Sequence, residues 1–205
     1  MTPSYWKKAT RELGQRDAVM KQLIVKYRGM TIGSRGDAYQ TLARAIVGQQ
    51  ISVKAAQSVW DRVLAAVGQV SPAAIHAMHE TSLRECGLSG RKALYLRDLA
   101  AHFVEEVFDT ARWPALTDEE MIEELIRVKG IGRWTAEMFL IFYMARPDVL
   151  PLGDLGLQRA MRLHYNSGRP LSERRMRSIA KVWAPWRSVA TWYLWRSLDP
   201  IPVQY

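Results

Sequence analysis

The stretch from Leu125 to Gln158, LIRVKGIGRWTAEMFLIFYMARPDVLPLGDLGLQ, constrains the fold of this chain more than any other. Leading into it, Thr117-Asp118-Glu119-Glu120-Met121-Ile122-Glu123-Glu124-Leu125-Ile126 combines a Thr-x-x-Glu capping box with apolar residues at helical spacing. The run Trp134 to Met144 is apolar and unbroken until Arg146-Pro147, which predicts a second helix. Between them, Val128-Lys129-Gly130-Ile131-Gly132-Arg133 is too short and too rich in glycine to continue either helix. Two helices must therefore meet at a tight Gly-x-Gly hairpin. Gly130 and Gly132 can take positive φ, and without Cβ atoms they leave backbone amides uncovered at the start of the second helix. The helix dipole and those N–H groups suit a phosphate oxygen.

The remainder reads as helix throughout. Pro3 is expected to open a first helix, and Asp17 to cap a second that runs through Val19, Leu23 and Tyr27 to Gly29. Residues 30–36 read as loop. Asp37 is expected to cap Ala38 to Gln49, Ser52 to cap Val53 to Val67 with Gly68 as the stop, and Ser71-Pro72 to start a further helix. Ser82 begins a short turn ending at Gly87, and Gly90-Arg91-Lys92 leads into a long helix reaching about Phe108. Two last helices between Ser172 and Leu198 break at Pro185. No alternating strand pattern of useful length is present, so the fold class is all-α. The one internal echo of the hairpin is Cys86-Gly87-Leu88-Ser89-Gly90-Arg91-Lys92.

At 205 residues the chain can bury a substantial core as a single domain, 1–205, with the hairpin at 117–144 and the Gly/Pro loop at 147–156. No apolar run approaches the length of a membrane span, and Met1 to Lys8 holds no signal-peptide core. The single Cys86 rules out an internal disulfide and points to a cytosolic location; the expected place is the bacterial cytosol or nucleoid. With 29 Lys+Arg against 20 Asp+Glu, the net charge of +9 favours a polyanionic partner, nucleic acid before membrane. His76 and His79 are three apart on one expected helix face, but no third ligand lies near in sequence, which speaks against a metal site. Most of the eight tryptophans are expected in the core.

Four segments in order, Ile46-Val47-Gly48-Gln49-Gln50-Ile51-Ser52, VKGIGRWTA, LPLGDLGLQRA and Pro185-Trp186-Arg187-Ser188, resemble the helix-hairpin-helix DNA glycosylases of base excision repair. Within that superfamily the likeness is greatest to 3-methyladenine-DNA glycosylase II, the alkylation-repair type, and it covers most of the chain from about residue 37 onward. The resemblance implies two helical lobes with a cleft between them. Some relatives carry an N-terminal β-domain; with only about 36 residues ahead of the resemblance, that domain is expected to be absent here.

The same resemblance assigns roles to particular residues. Asp154, in Pro151-Leu152-Gly153-Asp154-Leu155-Gly156, stands at the family's catalytic Asp. From position alone it reads equally as an ordinary N-cap. A carboxylate at a helix N-terminus stays ionised, and an anion there offsets the positive charge that develops on the sugar as an N-glycosidic bond stretches. Trp134 stands where bifunctional glycosylases place a Schiff-base Lys, which implies hydrolysis without strand cleavage. Trp134 and Trp195 match aromatic pocket positions suited to a cationic base, although a helical Trp is more often core. Met138 stands at a pocket position that is often Tyr. Gln49 is implied to line the base pocket, and Gln50 to be the wedge filling the gap left by a flipped nucleotide; as plain residues, both also read as polar capping groups. Lys129, where the family usually has Pro, is expected to reach phosphate, and with Gly130, Gly132, Arg133 and Thr135 makes up the implied DNA-backbone contact. The carbonyls of Ile126, Val128 and Ile131 are implied to hold a monovalent Na or K ion. No other cofactor is expected, and one cysteine excludes a four-cysteine iron–sulfur cluster.

The resulting expectation is a monomeric, monofunctional glycosylase that flips alkylated purines such as 3-methyladenine from double-stranded DNA. A non-catalytic helix-hairpin-helix module that only grips the backbone remains open on the residues alone. So does a glycosylase for deaminated or mismatched bases.

Overall fold

The structure is a computed structural model that describes residues 2–33 and 37–198. Twelve α-helices, with no strand among the described residues, form α1 (Trp6–Arg16), α2 (Ala18–Lys26), α3 (Ala38–Gly48), α4 (Val53–Val67), α5 (Pro72–Ala77), α6 (Glu80–Glu85), α7 (Gly90–Val104), α8 (Asp118–Leu125), α9 (Arg133–Phe142), α10 (Leu155–Tyr165), α11 (Glu173–Ala180) and α12 (Arg187–Leu198). Short 3₁₀ turns sit at Trp113–Ala115 and Lys181–Trp183. The all-α expectation holds. The described residues divide into two compact units: a central one, 37–139, and a terminal one that joins residues 2–33 to 140–198.

In the central unit α7 is the shared support, packing on α3, α5 and α6. Its core includes an edge-to-face aromatic cluster in which Phe103 lies 5.3 Å from both Tyr39 and Phe108, and Trp113 lies 5.6 Å from Phe139. In the terminal unit α12 is buried on every side, with Val189, Ala190, Thr191, Trp192, Tyr193 and Leu194 all enclosed, so it reads as a core helix rather than an amphipathic one. α1, α2 and α10 pack around it. The N-terminal helices are fastened there by carboxylates. Oδ1 of Asp17 caps α2 through the Met20 N–H at 3.0 Å, while Oδ2 accepts the Tyr165 hydroxyl at 2.8 Å and the Trp183 indole N–H at 2.9 Å.

Several helix boundaries differ from expectation. α1 begins at Trp6, after a turn, and not at Pro3. α6 begins at Glu80 because the His79 ring accepts the Thr81 N–H, a cap that precedes Ser82; His79 is thus a capping residue. α7 ends at Val104, short of Phe108, where Glu106 turns to φ +54°. α9 ends at Phe142, short of Met144, ahead of Ala145 at φ +52°.

Candidate active site

The hairpin is built as the sequence requires, but its two glycines are there for different reasons. Gly130 has φ +84°, and a Cβ on it would fall inside the ring of Tyr95. Gly132 has no positive φ and meets nothing within 4 Å. It occupies the N-cap of α9, where its carbonyl accepts the Ala136 N–H at 3.1 Å and it supplies no side-chain oxygen to the first turn. Buried Val128 and Ile131 pin the turn from inside, and the Ile131 N–H closes it on the Val128 carbonyl at 3.1 Å. The echo at Cys86–Lys92 shows the contrast. Gly87 has φ +94°, matching Gly130, but the cap equivalent to Gly132 is Ser89, whose hydroxyl takes the Lys92 N–H at 3.3 Å. That helix start is closed by its own side chain, whereas Gly132 offers none to the start of α9.

Side chains around the turn are held by acidic partners. The Lys129 N–H donates to Oδ2 of Asp98 at 2.8 Å, and its exposed ammonium lies 3.6 Å from Oδ1. Arg133 forms a fork on Glu119, with Nη1 to Oε2 at 2.9 Å and Nη2 to Oε1 at 2.5 Å, and its Nε reaches buried Glu137 at 3.2 Å. Hydrogen bonds from Arg133 hold the Glu119 carboxyl below its ordinary value. Thr135 is buried.

The turn between α3 and α4 is braced against the same hairpin. The Gln49 side-chain amide donates to the Gly130 carbonyl at 2.8 Å. Lys92 of α7 donates from Nζ to the Val47 carbonyl at 2.7 Å, and burial lowers its pKa from the ordinary lysine value. Lys92, Tyr95 and Asp98, three residues apart along one stripe of α7, thus support the Gln49–Gln50 turn and the hairpin together. Gln50 is exposed and held at φ +59°, a left-handed conformation that a non-glycine residue adopts at some cost.

Asp154, in the terminal unit, is buried and caps α10. Its Oδ1 accepts the Leu157 N–H at 2.6 Å and the Trp195 indole N–H at 2.7 Å. The loop leading to it is clasped by the start of α12. Buried Ser188 donates to the Arg146 carbonyl at 2.6 Å and accepts the Val149 N–H at 2.9 Å, and its own N–H reaches the Pro147 carbonyl at 3.0 Å. Arg187 grips Asp148 through Nε and Nη2, both at 2.8 Å.

Six of the eight tryptophans are buried; the two that are not are Trp134, 37% exposed, and half-buried Trp195. Met138, one turn beyond Trp134 on α9, is buried. The expected residues fall into two groups: Gln49, Gln50, Lys129, Gly130, Gly132, Arg133, Thr135, Trp134 and Met138 in the central unit, and Asp154 with Trp195 in the terminal one. Sequence reading missed Lys92, Tyr95 and Asp98, whose three-residue spacing was the available signal. It also gave no role to Arg187 and Ser188, although their segment stood out. Among the described residues no helix is long and apolar enough to cross a membrane.

A left-handed glycine followed by a bare N-cap, joining two short helices in an otherwise all-helical chain, defines a helix-hairpin-helix protein. Residues 43–185 match the family described as the HhH-GPD superfamily base excision DNA repair protein, and the chain belongs to that superfamily. It is 33% identical over 180 residues to DNA-3-methyladenine glycosylase 1 of Schizosaccharomyces pombe, covering 86% of this chain and 79% of the relative. The crystal structure of a DNA-3-methyladenine glycosidase from Bacillus halodurans superposes with a TM-score of 0.85 at 33% identity, over 93% of this chain and 89% of that one. The S. pombe 3-methyladenine DNA glycosylase in complex with abasic DNA gives 0.80 at 33% identity, over 93% and 96%.

Proposed function

We propose that this protein is a monofunctional DNA glycosylase of base excision repair, hydrolysing the N-glycosidic bond of alkylated purines such as 3-methyladenine in duplex DNA. The observation that carries the reading is Asp154, a buried carboxylate fixed at the N-terminus of α10 by two donors on one oxygen. An N3-alkylated adenine is cationic, so it departs with the bonding electron pair as a neutral base. The sugar is left electron-poor at C1′, and a fixed anion stabilises that state and orients the incoming water. Trp134 carries no amine where the lyases have one, so water is the nucleophile and the strand stays intact.

The central unit contributes the grip. The amides opening α9 and the Gly130–Thr135 backbone take the DNA phosphate, with the exposed Lys129 ammonium adding charge. The Arg133 guanidinium is committed to Glu119 and Glu137, so its contribution falls to its backbone N–H. Gln50, exposed and strained, serves as the wedge that fills the space of a flipped nucleotide. Gln49, Trp134, Met138 and Trp195 are assigned to the damaged base. The carbonyls of Ile126, Val128 and Ile131 are hard neutral oxygens of the kind Na or K takes, and such an ion would add positive charge facing a phosphate. The chain works as a monomer in the cytosol, where its single buried Cys86 stays reduced.

Base release from duplex DNA treated with a methylating agent, resolved by chromatography, tests the reading. Wild-type protein should release 3-methyladenine. Asp154→Asn, which still caps α10, should fold and bind abasic-site DNA while releasing none. Undiminished release by the folded Asn variant would remove Asp154 from the reaction.

A further inference from the structure

We infer that Trp195 is a positioning residue that orients the Asp154 carboxylate through its indole N–H, and that position 156 is glycine so that the edge of the indole can reach it. The inference rests on the catalytic assignment of Asp154. An N-cap carboxylate held by one backbone amide can still turn about its Cβ–Cγ bond. Here a second donor, Trp195 Nε1 at 2.7 Å, meets the same oxygen that takes the Leu157 N–H at 2.6 Å. Two donors on Oδ1, one from the backbone and one from the indole, restrain the carboxylate more than the amide does alone.

The indole is itself fixed. It stacks on Phe142 with 5.8 Å between ring centroids and 14° between planes. A Cβ on Gly156 would come within 3.1 Å of Trp195 Cδ1, 3.3 Å of its Nε1 and 3.1 Å of Asp154 Oδ1. Gly156 lies inside α10 and has no positive φ, so the backbone does not require glycine there. Glycine is disfavoured within a helix, and the close approach of the indole edge supplies the reason for it. Trp195 therefore acts with its edge on the carboxylate, in addition to any face it offers a base.

The test compares single-turnover excision with affinity for abasic-site DNA. Trp195→Phe keeps an aromatic ring for Phe142 but deletes the N–H; its rate should fall about tenfold or more, the usual effect of losing a hydrogen bond to a charged group. Its affinity should stay within about twofold of wild type, because the lost contact acts in the transition state and not in binding. Gly156→Ala, whose methyl crowds the indole edge and Oδ1 together, should show the same split, and a wild-type rate in it overturns the role even if Trp195→Phe does not fold. Wild-type rates in folded Trp195→Phe and Gly156→Ala, with Asp154→Asn inactive, would overturn the positioning role and leave Asp154 catalytic. Loss of affinity matching the loss of rate would make Trp195 a binding platform and overturn it too. An active Asp154→Asn would instead sink the catalytic assignment, and the inference with it.

Discussion

Replacing the two hairpin glycines one at a time with alanine should separate folding from DNA contact. At Gly130, alanine must take φ +84° and place its methyl inside the Tyr95 ring. The left-handed conformation costs about 1–2 kcal/mol, and forcing a methyl into a packed contact about 1–3 kcal/mol more. For a domain of this size each kcal/mol lowers Tm by about 2–4 °C, so Gly130→Ala should melt about 4–20 °C below wild type. At Gly132 alanine meets open space without strain, and the exchange of glycine for alanine at an N-cap costs only about 0.5–1 kcal/mol, or about 1–4 °C. A methyl there nevertheless stands between the α9 amides and an approaching phosphate. Gly132→Ala should therefore bind abasic-site duplex about tenfold more weakly, with a shallower salt dependence, while melting close to wild type. Differential scanning calorimetry and fluorescence anisotropy across a salt series read the two effects. If Gly132→Ala binds like wild type, phosphate does not approach the start of α9; if Gly130→Ala melts like wild type, Tyr95 and the left-handed turn do not define the hairpin.

Three further outcomes follow. Products should remain full-length until alkali cleaves them, and borohydride should trap no adduct; an adduct lost in Lys129→Ala would make the enzyme a lyase. Asp98→Ala should weaken DNA binding several-fold although it removes a negative charge, because the Lys129 N–H loses its anchor; stronger binding would show that charge outweighs the brace. Glu119, held below its ordinary value of 4.5 by Arg133, is more acidic folded than unfolded, so its contribution is complete above 4.5 and fades as pH falls through the lowered value. The Tm difference between wild type and Glu119→Gln should accordingly be present at pH 7 and shrink progressively as the pH is taken below 4.5; a difference that does not shrink would assign the effect to packing.

Local rules made most of the fold legible. Asp17, Asp37, Ser52, Ser71 and Thr117 cap the helices that their side chains announced, because a cap is chemistry within three residues. The failures are also local but less common: a histidine as the α6 cap, and left-handed Glu106 and Ala145 closing α7 and α9 early. At the candidate site, Asp154 and the hairpin stood out by motif. The Trp195–Asp154 bond, the Ser188 clasp and the α7 stripe depend on residues from 31 to 45 positions apart, and no periodicity encodes such partners. Gly132 was the subtler case. Its sequence reads like Gly130, yet only the structure shows that one glycine serves the turn and the other leaves space.

The stripe of Lys92, Tyr95 and Asp98 sets a fixed offset between Gln50 and the α9 amides, since both are mounted on one helix. In the proposed complex that offset works as a ruler carried by the protein. If the duplex bends and opens to meet both contacts, as that proposal has it, the work of deformation falls on the DNA. Sequences and lesions that stack or pair poorly deform at lower cost. Damage is then sorted partly by mechanical compliance, before any base is read by its chemistry.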